Sequence, residues 1–263
     1  MTTAYEVAPP IFDSRVQAHF GKNVELYVDK TLDCYEKASL ERLSTLALVT
    51  GYHSTTKFRL MDVGCGGGFF LDLFLNTFPS ASAWGVDICP AMLQANTPSS
   101  RKTLCQGDAL HLPQDSGDFE VINIDTVMHH LIAGRSYRRT MTRIVDCLKH
   151  LQSRLMPGGV ICVREIYHEY IGCESLGSRL IFFLSTLSLP DFVARFFKYA
   201  GIQTANAGVC FLTRAQWYRT FQEAGLSIVS IDEKAWSTQP YRWFGFKASG
   251  DIYYVLAPKR PYA

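Results

Sequence analysis

Three aspartates, Asp62, Asp87 and Asp108, each stand at the end of a short apolar run, and a glycine-rich turn, Gly64 to Gly68 in "MDVGCGGGFF", follows the first. A glycine turn after a strand brings backbone N–H groups close to a ligand, because no Cβ intervenes and positive φ is accessible. An acid at the end of the next strand can accept two hydrogen bonds from a ribose diol. This spacing is suited to holding a nucleoside. The dinucleotide pattern G-x-G-x-x-G needs its third glycine where Phe69 stands, so the spacing here is G-x-G-x-G through Gly64, Gly66 and Gly68. A glycine turn alone can be structural, and one acid after a strand is usually a cap. Three acids in order at successive strand ends form a constellation.

A second group of chemically capable residues follows the fourth apolar run. His129 and His130 stand in "DTVMHHL", and Glu165, Tyr167 and His168 stand in "REIYHEY" after the fifth run. An imidazole titrates near neutrality, so either histidine could act as a general base, and Glu165 could orient an acceptor or take a proton. The alternative is a strand-to-helix connection with packed rings, and a strand end whose acid caps the next helix. No H-x-x-x-H or carboxylate cluster has metal-ligand spacing, so no metal is expected.

These residues need elements to hold them. From about Ser14 to Tyr52 the apolar residues recur at helical spacing, with Leu40, Leu43, Leu46, Ala47 and Val49 as the clearest face. Strands and helices then alternate: "FRLMDV", the helix "GGFFLDLFLNTF", "SAWGVDI", the short helix "PAMLQANT", "KTLCQGDA" and "FEVINID". A helix is expected from Ser136 to Leu155, ended by "MPGG", with Met141, Ile144, Val145, Leu148, Leu151 and Leu155 as its apolar stripe. "VICVREI" reads as the fifth strand. After an aromatic-rich insertion comes the helix "TRAQWYRTFQEAGL", with Thr213 as N-cap and Gly225 as stop; "SIVSIDEKAW" and "DIYYVLAP" close the chain as strands. Such alternation predicts an α/β fold built on a parallel sheet.

The 263 residues, 48% hydrophobic and 19% charged, suit one domain with a sizeable core. A net charge of +2 implies neither an obligate nucleic-acid binder nor a polybasic membrane protein, and Arg135, Arg138, Arg139 and Arg143 read as a solvated helix face. Eight cysteines without a C-x-x-C pair read as small core residues of a reduced, cytoplasmic protein. No signal peptide is visible. Leu180 to Phe197 is the most membrane-like run, but Pro190, Asp191 and Arg195 interrupt it, so no stable membrane insertion is expected.

Over roughly residues 55 to 165 the chain resembles the class I S-adenosylmethionine (SAM)-dependent methyltransferases, through "MDVGCGGG", "WGVDICPAML", "CQGDALHLP", "FEVINIDTVMHHL" and "LMPGGVICVRE". The resemblance implies a doubly wound, seven-stranded, mostly parallel sheet with its last strand antiparallel. It implies SAM as cofactor and S-adenosyl-L-homocysteine as product. Carried over by position, Asp62, Gly64, Cys65, Gly66 and Gly68 would hold the methionine end and Asp87 the ribose, while Ile88 would pack on the adenine. Asp108 and Ala109 would contact the adenine edge, and Asp125 would line the methionine side.

One domain over 1–263 follows, divided into a helical lead-in at 1–54, a SAM-binding core at 55–165, a helical cap at 167–209, and C-terminal helix and strands at 210–263. The cap, rich in aromatics such as Phe182, Phe183, Phe192, Phe196, Phe197 and Tyr199, resembles that of small-molecule methyltransferases. Its alternative is a helical pair serving the core or a dimer contact. Phe20, Tyr27, Tyr167, His168 and Trp243 are expected around the acceptor, with His129, His130 and Glu165 as candidate catalytic groups. The expected partner is a small apolar or aromatic acceptor, methylated at oxygen in preference to nitrogen or carbon, in specialised metabolism. Nucleic acid is not expected, because the N-P-P-Y type motif of amine methyltransferases is replaced by "DTVMHH". A monomer or homodimer is expected. The alternatives are a lipid or quinone acceptor at a membrane surface, and a SAM-binding protein that transfers no methyl.

Overall fold

The computed structural model describes Gly21, Val24 and residues 32–112, 117–172, 174–187, 208–236 and 246–259. The lead-in helix α1 (Leu32–Thr50) precedes strand β1 (Arg59–Val63), helix α2 (Phe69–Thr77), β2 (Ser82–Asp87), the short α3 (Pro90–Gln94) and β3 (Lys102–Gln106). After β4 (Phe119–Asp125), a single 3₁₀ turn, Met128–His130, leads towards α4 (Tyr137–Gln152). Then come β5 (Leu155–Tyr170), α5 (Glu174–Thr186), α6 (Arg214–Glu223), β6 (Leu226–Ala235) and β7 (Phe246–Pro258).

The strands form one seven-stranded sheet in the order β3-β2-β1-β4-β5-β7-β6, with β7 antiparallel to both neighbours, as expected. Strand alternation gives each face its own core. Met61, Val63, Ile122, Ile161 and Val163 pack with Ile144, Leu148 and Leu151 of α4 and with Trp217 and Phe221 of α6. Leu60, Val121, Val160 and Cys162 pack on the other face with Leu43 and Leu46 of α1 and Phe70, Leu71 and Phe74 of α2. The order of strands reverses between β1 and β4, and such a reversal opens a crevice at the carboxyl ends of the strands.

Several boundaries differ from the sequence expectation. The long helix stops at Gln152, and Leu155 instead opens β5 by pairing with Phe119. β5 runs on to Tyr170 because β7 pairs with it antiparallel from Ile161–Leu256 to Tyr170–Phe246. Tyr167–Tyr170 therefore continue the strand rather than begin the insertion, and β7 starts at Phe246 rather than Asp251. β3 ends at Gln106, which leaves Asp108 just beyond it. On α1 the buried stripe is Ser39, Arg42, Leu43 and Leu46, whereas Leu40, expected inside, is 42% exposed. The cap of α6 is as expected: Thr213 Oγ1 accepts from Gln216 N at 3.2 Å while Gln216 Oε1 accepts from Thr213 N at 2.8 Å, and Gly225 takes φ +78° after the helix.

Candidate functional site

The turn after β1 is tied to the end of β2. Gly64 N and Cys65 N both donate to Val86 O, at 2.7 and 3.1 Å, and Gly66 N donates to Asp87 Oδ2 at 2.8 Å. The other Asp87 oxygen accepts from Cys89 N at 2.8 Å. Gly64 and Gly68 have φ of +77° and +80°, where a Cβ would be strained. At Gly64 that Cβ would also lie 2.3 Å from Val127 Cγ2. Val127 is held there by Thr126, the only non-glycine residue with positive φ among the described residues, at +54°. Left-handed backbone at a β-branched residue is uncommon, and here it lies at the crevice.

Asp62 is buried in β1 and its Oδ1 accepts from Asn123 Nδ2 of β4 at 2.7 Å. Burial pushes its carboxyl up to about 7 against the lowering effect of Asn123. Asp87 is also raised by burial, against the backbone N–H groups of Cys89 and Gly66. The Cys65 thiol is buried, and that burial pushes its pKa up, so it stays protonated. Beyond β3, Asp108 Oδ1 accepts from Leu110 N at 2.9 Å and Oδ2 meets His111 Nδ1 at 3.1 Å. Ala109 is buried beside it, and Ile88 follows Asp87 half-buried.

Asp125 stands at the carboxyl end of β4, and its carboxylate is bonded by side chains from other elements. Its Oδ2 accepts from Arg42 Nη1 and from Tyr35 Oη at 2.9 Å, and its Oδ1 accepts from Arg164 Nη1 at 2.9 Å. Arg164 in turn reaches Asp251 Oδ1 at 2.6 Å, and Trp236 Nε1 donates to Asp251 Oδ2 at 2.6 Å. An ion-pair chain thus ties α1 to the end of β4 and to the middles of β5 and β7. The Tyr35 ring lies 5.7 Å from Phe69 at the glycine turn.

Glu165 and His129 come together, with Glu165 Oε2 and His129 Nδ1 2.8 Å apart and side chains 0% and 6% exposed. The other oxygen, Oε1, accepts from Met128 N at 2.7 Å. Glu165 is thus fully buried beside the imidazole, which corrects its reading as a solvent-facing cap. The His130 ring lies 4.1 Å from that of His129, and Phe211 lies 5.1 Å from His129 and 4.9 Å from His168. His168 Nδ1 is 2.7 Å from Ser249 Oγ, and Phe246 lies 5.0 Å away. Burial, with His129 nearby, lowers His168 to about 4, so its imidazole is neutral at physiological pH.

Tyr167 lies elsewhere, with its hydroxyl donating to Glu233 Oε1 of β6 and Arg214 over its ring, so its side chain faces α6 rather than the crevice. The Phe20, Tyr27 and Trp243 expectations lie outside the described residues, as do those at Phe192, Phe196, Phe197 and Tyr199. Among the described residues no group of three or more His, Cys, Asp or Glu could hold a metal ion. Tyr35, Arg42, Asn96, Arg164 and Phe211 were not singled out from the sequence. Arg42 gave a signal, since it falls on the helix face shared by Leu43 and Leu46, and Arg164 sits inside an apolar strand run; the other three gave none.

The strand order with an antiparallel β7 and the glycine turn at the switch point define a Rossmann-like methyltransferase fold. Residues 60–151 match a family model described as a methyltransferase domain. The chain is similar to a malonyl-[acyl-carrier protein] O-methyltransferase of Acetivibrio thermocellus, 32% identical over 79 residues, which span 30% of this chain and 26% of that relative. It is similar to the enzyme of the same description from Paenibacillus sp. (strain JDR-2), 21% identical over 81% of this chain and 71% of the relative. A solved SAM-dependent methyltransferase from Geobacter sulfurreducens, in complex with S-adenosyl-L-homocysteine, shares the fold at a TM-score of 0.51 and 16% identity, over 83% of this chain and 91% of that one. Over residues 60–151 the chain matches a methyltransferase domain, its fold is that of the class I SAM-dependent methyltransferases, and SAM is the cofactor of that class.

The residues present fit that cofactor. Each Asp87 oxygen takes one backbone N–H and keeps a second lone pair for a ribose hydroxyl. Asp62 places a buried carboxylate beneath the glycine turn, suited to a cofactor that carries positive charge at its methionine end. Among the described residues no helix is long and apolar enough to cross a membrane.

Proposed function

We propose that the chain moves the SAM methyl group to an oxygen of a small, apolar or aromatic acceptor, with His129 as general base. The observation that carries this reading is the buried Glu165–His129 pair at the carboxyl edge of the sheet. Bound SAM supplies an electrophilic methyl on a sulfonium. Asp87 would accept from the ribose hydroxyls, Ile88 would pack on the adenine, Asp108 and Ala109 would meet its edge, and Asp62 with the glycine turn would face the methionine end.

Glu165 accepts the Nδ1 proton of His129, which leaves the lone pair on Nε2. The acceptor hydroxyl would give its proton to Nε2 as its oxygen takes the methyl, the S–CH3 bonding pair staying on the sulfur of the departing S-adenosyl-L-homocysteine, and the resulting imidazolium would be stabilised by the Glu165 carboxylate. The rings of His130 and Phe211 around His129, and of Phe246 around His168, exclude water and favour a flat or apolar acceptor. The O-methyltransferase description of both curated relatives supports oxygen as the acceptor atom. The free thiols among the described cysteines support a cytoplasmic location.

Methyl-label transfer from SAM to a panel of phenols, enols and carboxylic acids tests the proposal. A hydroxyl acceptor should be labelled, with turnover lost in His129→Ala and reduced in Glu165→Gln while both variants still bind SAM. Undiminished turnover in His129→Ala would remove the base and leave proximity as the mechanism.

A second reading is favoured by one feature. Leu176, Leu180, Phe183 and Leu184 lie on one face of α5 and are each at least half exposed. Such a face suits a membrane surface carrying a lipid or quinone acceptor. Sedimentation with liposomes checks it: protein left in the supernatant rules out surface docking.

A further inference from the structure

Gly66 is gripped on both sides. Its N–H is taken by Asp87, and its carbonyl accepts from Asn96 Nδ2 at 2.8 Å. Asn96 lies just past α3, is 8% exposed, and donates with the same nitrogen to Met92 O at 3.2 Å. Two carbonyls facing one end of the amide fix which end is nitrogen. The Asn96 Oδ1 is buried with no hydrogen-bond partner among the described residues. It points at Gly68, where a Cβ would stand 1.6 Å from it. The third glycine of the G-x-G-x-G turn is therefore required by Asn96 as well as by its φ of +80°.

We propose that Asn96 is a positioning residue for the cofactor: it clamps the Gly66–Gly68 turn against the end of α3 so that the turn's backbone meets SAM in one geometry. This rests on the reading above that SAM lies against the glycine turn and Asp87. A buried side-chain amide satisfying two carbonyls while leaving its own oxygen bare is an unfavourable arrangement by itself. Nothing in the folding of α3 calls for it, because the helix is already capped by Ala95 N donating to Met92 O and Leu93 O. The contact runs instead from the helix that follows Asp87 to the turn that Asp87 also holds. The ribose acid and the glycine turn thereby become one rigid unit with two independent ties, one from each side of Gly66.

Asn96→Ala removes the clamp. Asn96→Asp keeps the shape but cannot donate to either carbonyl, and it adds a charge near Asp87. Calorimetric titration of wild type, Asp87→Ala, Asn96→Ala and Asn96→Asp with SAM, followed by steady-state turnover, separates the outcomes. Loss of one buried hydrogen bond of this kind corresponds to roughly a ten-fold change in affinity. Both Asn96 variants should weaken SAM by about that factor or more and raise the KM for SAM. Their kcat at saturating SAM, and their KM for the acceptor, should stay within about two-fold of wild type.

A merely structural role would lower stability and active fraction without splitting the two KM values. If Asp87→Ala weakens SAM while both Asn96 variants bind it like wild type, the Asn96 proposal is overturned and the cofactor site stands. If Asp87→Ala also binds SAM unchanged, the site reading itself fails, and Asn96 falls with it. Should Asn96→Ala fail to fold, Asn96→Asp and Asn96→Ser give the same readout with less change in volume.

Discussion

Removing Asp125 should destabilise the protein far more than removing either arginine that it holds. Arg42 and Asp125 have side chains only 4% and 8% exposed. Without Asp125, Arg42 would keep neutral partners, Ala38 O at 3.2 Å, Ser39 Oγ at 2.7 Å and the Tyr35 and Phe70 rings, and its charge would lose the carboxylate it is bonded to in the interior. Arg164 would keep Asp251. Stranding one buried charge in this way costs about 3–5 kcal/mol. At about 2–4 °C per kcal/mol for a domain of this size, Asp125→Ala should lower Tm by roughly 6–20 °C. Arg42→Met leaves Asp125 with Arg164 and Tyr35, so its effect should be smaller, and the double variant Arg42→Met/Asp125→Ala should be more stable than Asp125→Ala alone. Thermal and urea unfolding of the three variants measure this. Additive losses, or an Asp125→Ala protein within about 1 kcal/mol of wild type, would show that the network holds no buried charge in balance. Burial alone would raise the Asp125 carboxyl, but Arg42 and Arg164 outweigh it and hold the group well below the usual carboxylate range. A depressed folded pKa means that this contribution is present above about pH 4 and is lost only as pH falls further.

Asp62 should behave oppositely. Its folded pKa is raised by burial to about 7, so its contribution to the ligand-free protein is present below about pH 4 and is lost as pH rises through about 7; Asp62→Asn should flatten that part of the stability profile. Binding of cationic SAM beside it should favour the carboxylate and release a proton, and calorimetry near pH 6.5 in buffers of different ionisation enthalpy would detect this; heats independent of buffer would argue against it. Gly68→Ala should unfold at lower temperature than wild type, and Asn96→Ala should recover part of that loss by removing the Oδ1 contact, leaving the strain of φ +80°; equal losses with either residue at 96 would contradict the contact. His168, lowered to about 4, should show a flat imidazole NMR shift between pH 5.5 and 8, and a titration midpoint near 6.5 would place it in a wetter site than the structure gives it.

The apolar periodicities and the glycine turn made the core legible, because each of β1, β2 and β4 is a short buried run bounded by a turn residue. β4 was delimited to the residue, since Phe119 and Asp125 both lie at breaks in hydrophobicity. The sequence understates β5 because its last residues, "YHEY", look like a polar strand end; their pairing with Phe246–Gly250 is a long-range contact that no local pattern encodes. The same limit applied in the site. Asp87 was visible from its position after a strand, but Asn96 is an ordinary polar residue past a short helix, and only the fold brings it to Gly66. The position of Asp125 at the end of β4 is legible from the sequence, yet its partners Arg42 and Arg164 come from elements far apart in sequence. The Glu165–His129 pair illustrates the boundary well: each residue was a candidate alone, and the 2.8 Å contact that gives them distinct roles needed the sheet to align β4 with β5.

Calorimetric titration of the purified chain with SAM and, separately, with NAD tests the central claim most directly. Saturable SAM binding without an NAD response, weakened by about 1–3 kcal/mol in Asp87→Ala, is the expected result. Absence of SAM binding by a folded protein, or binding indifferent to Asp87, would contradict the assignment of the glycine turn and its acid to the cofactor.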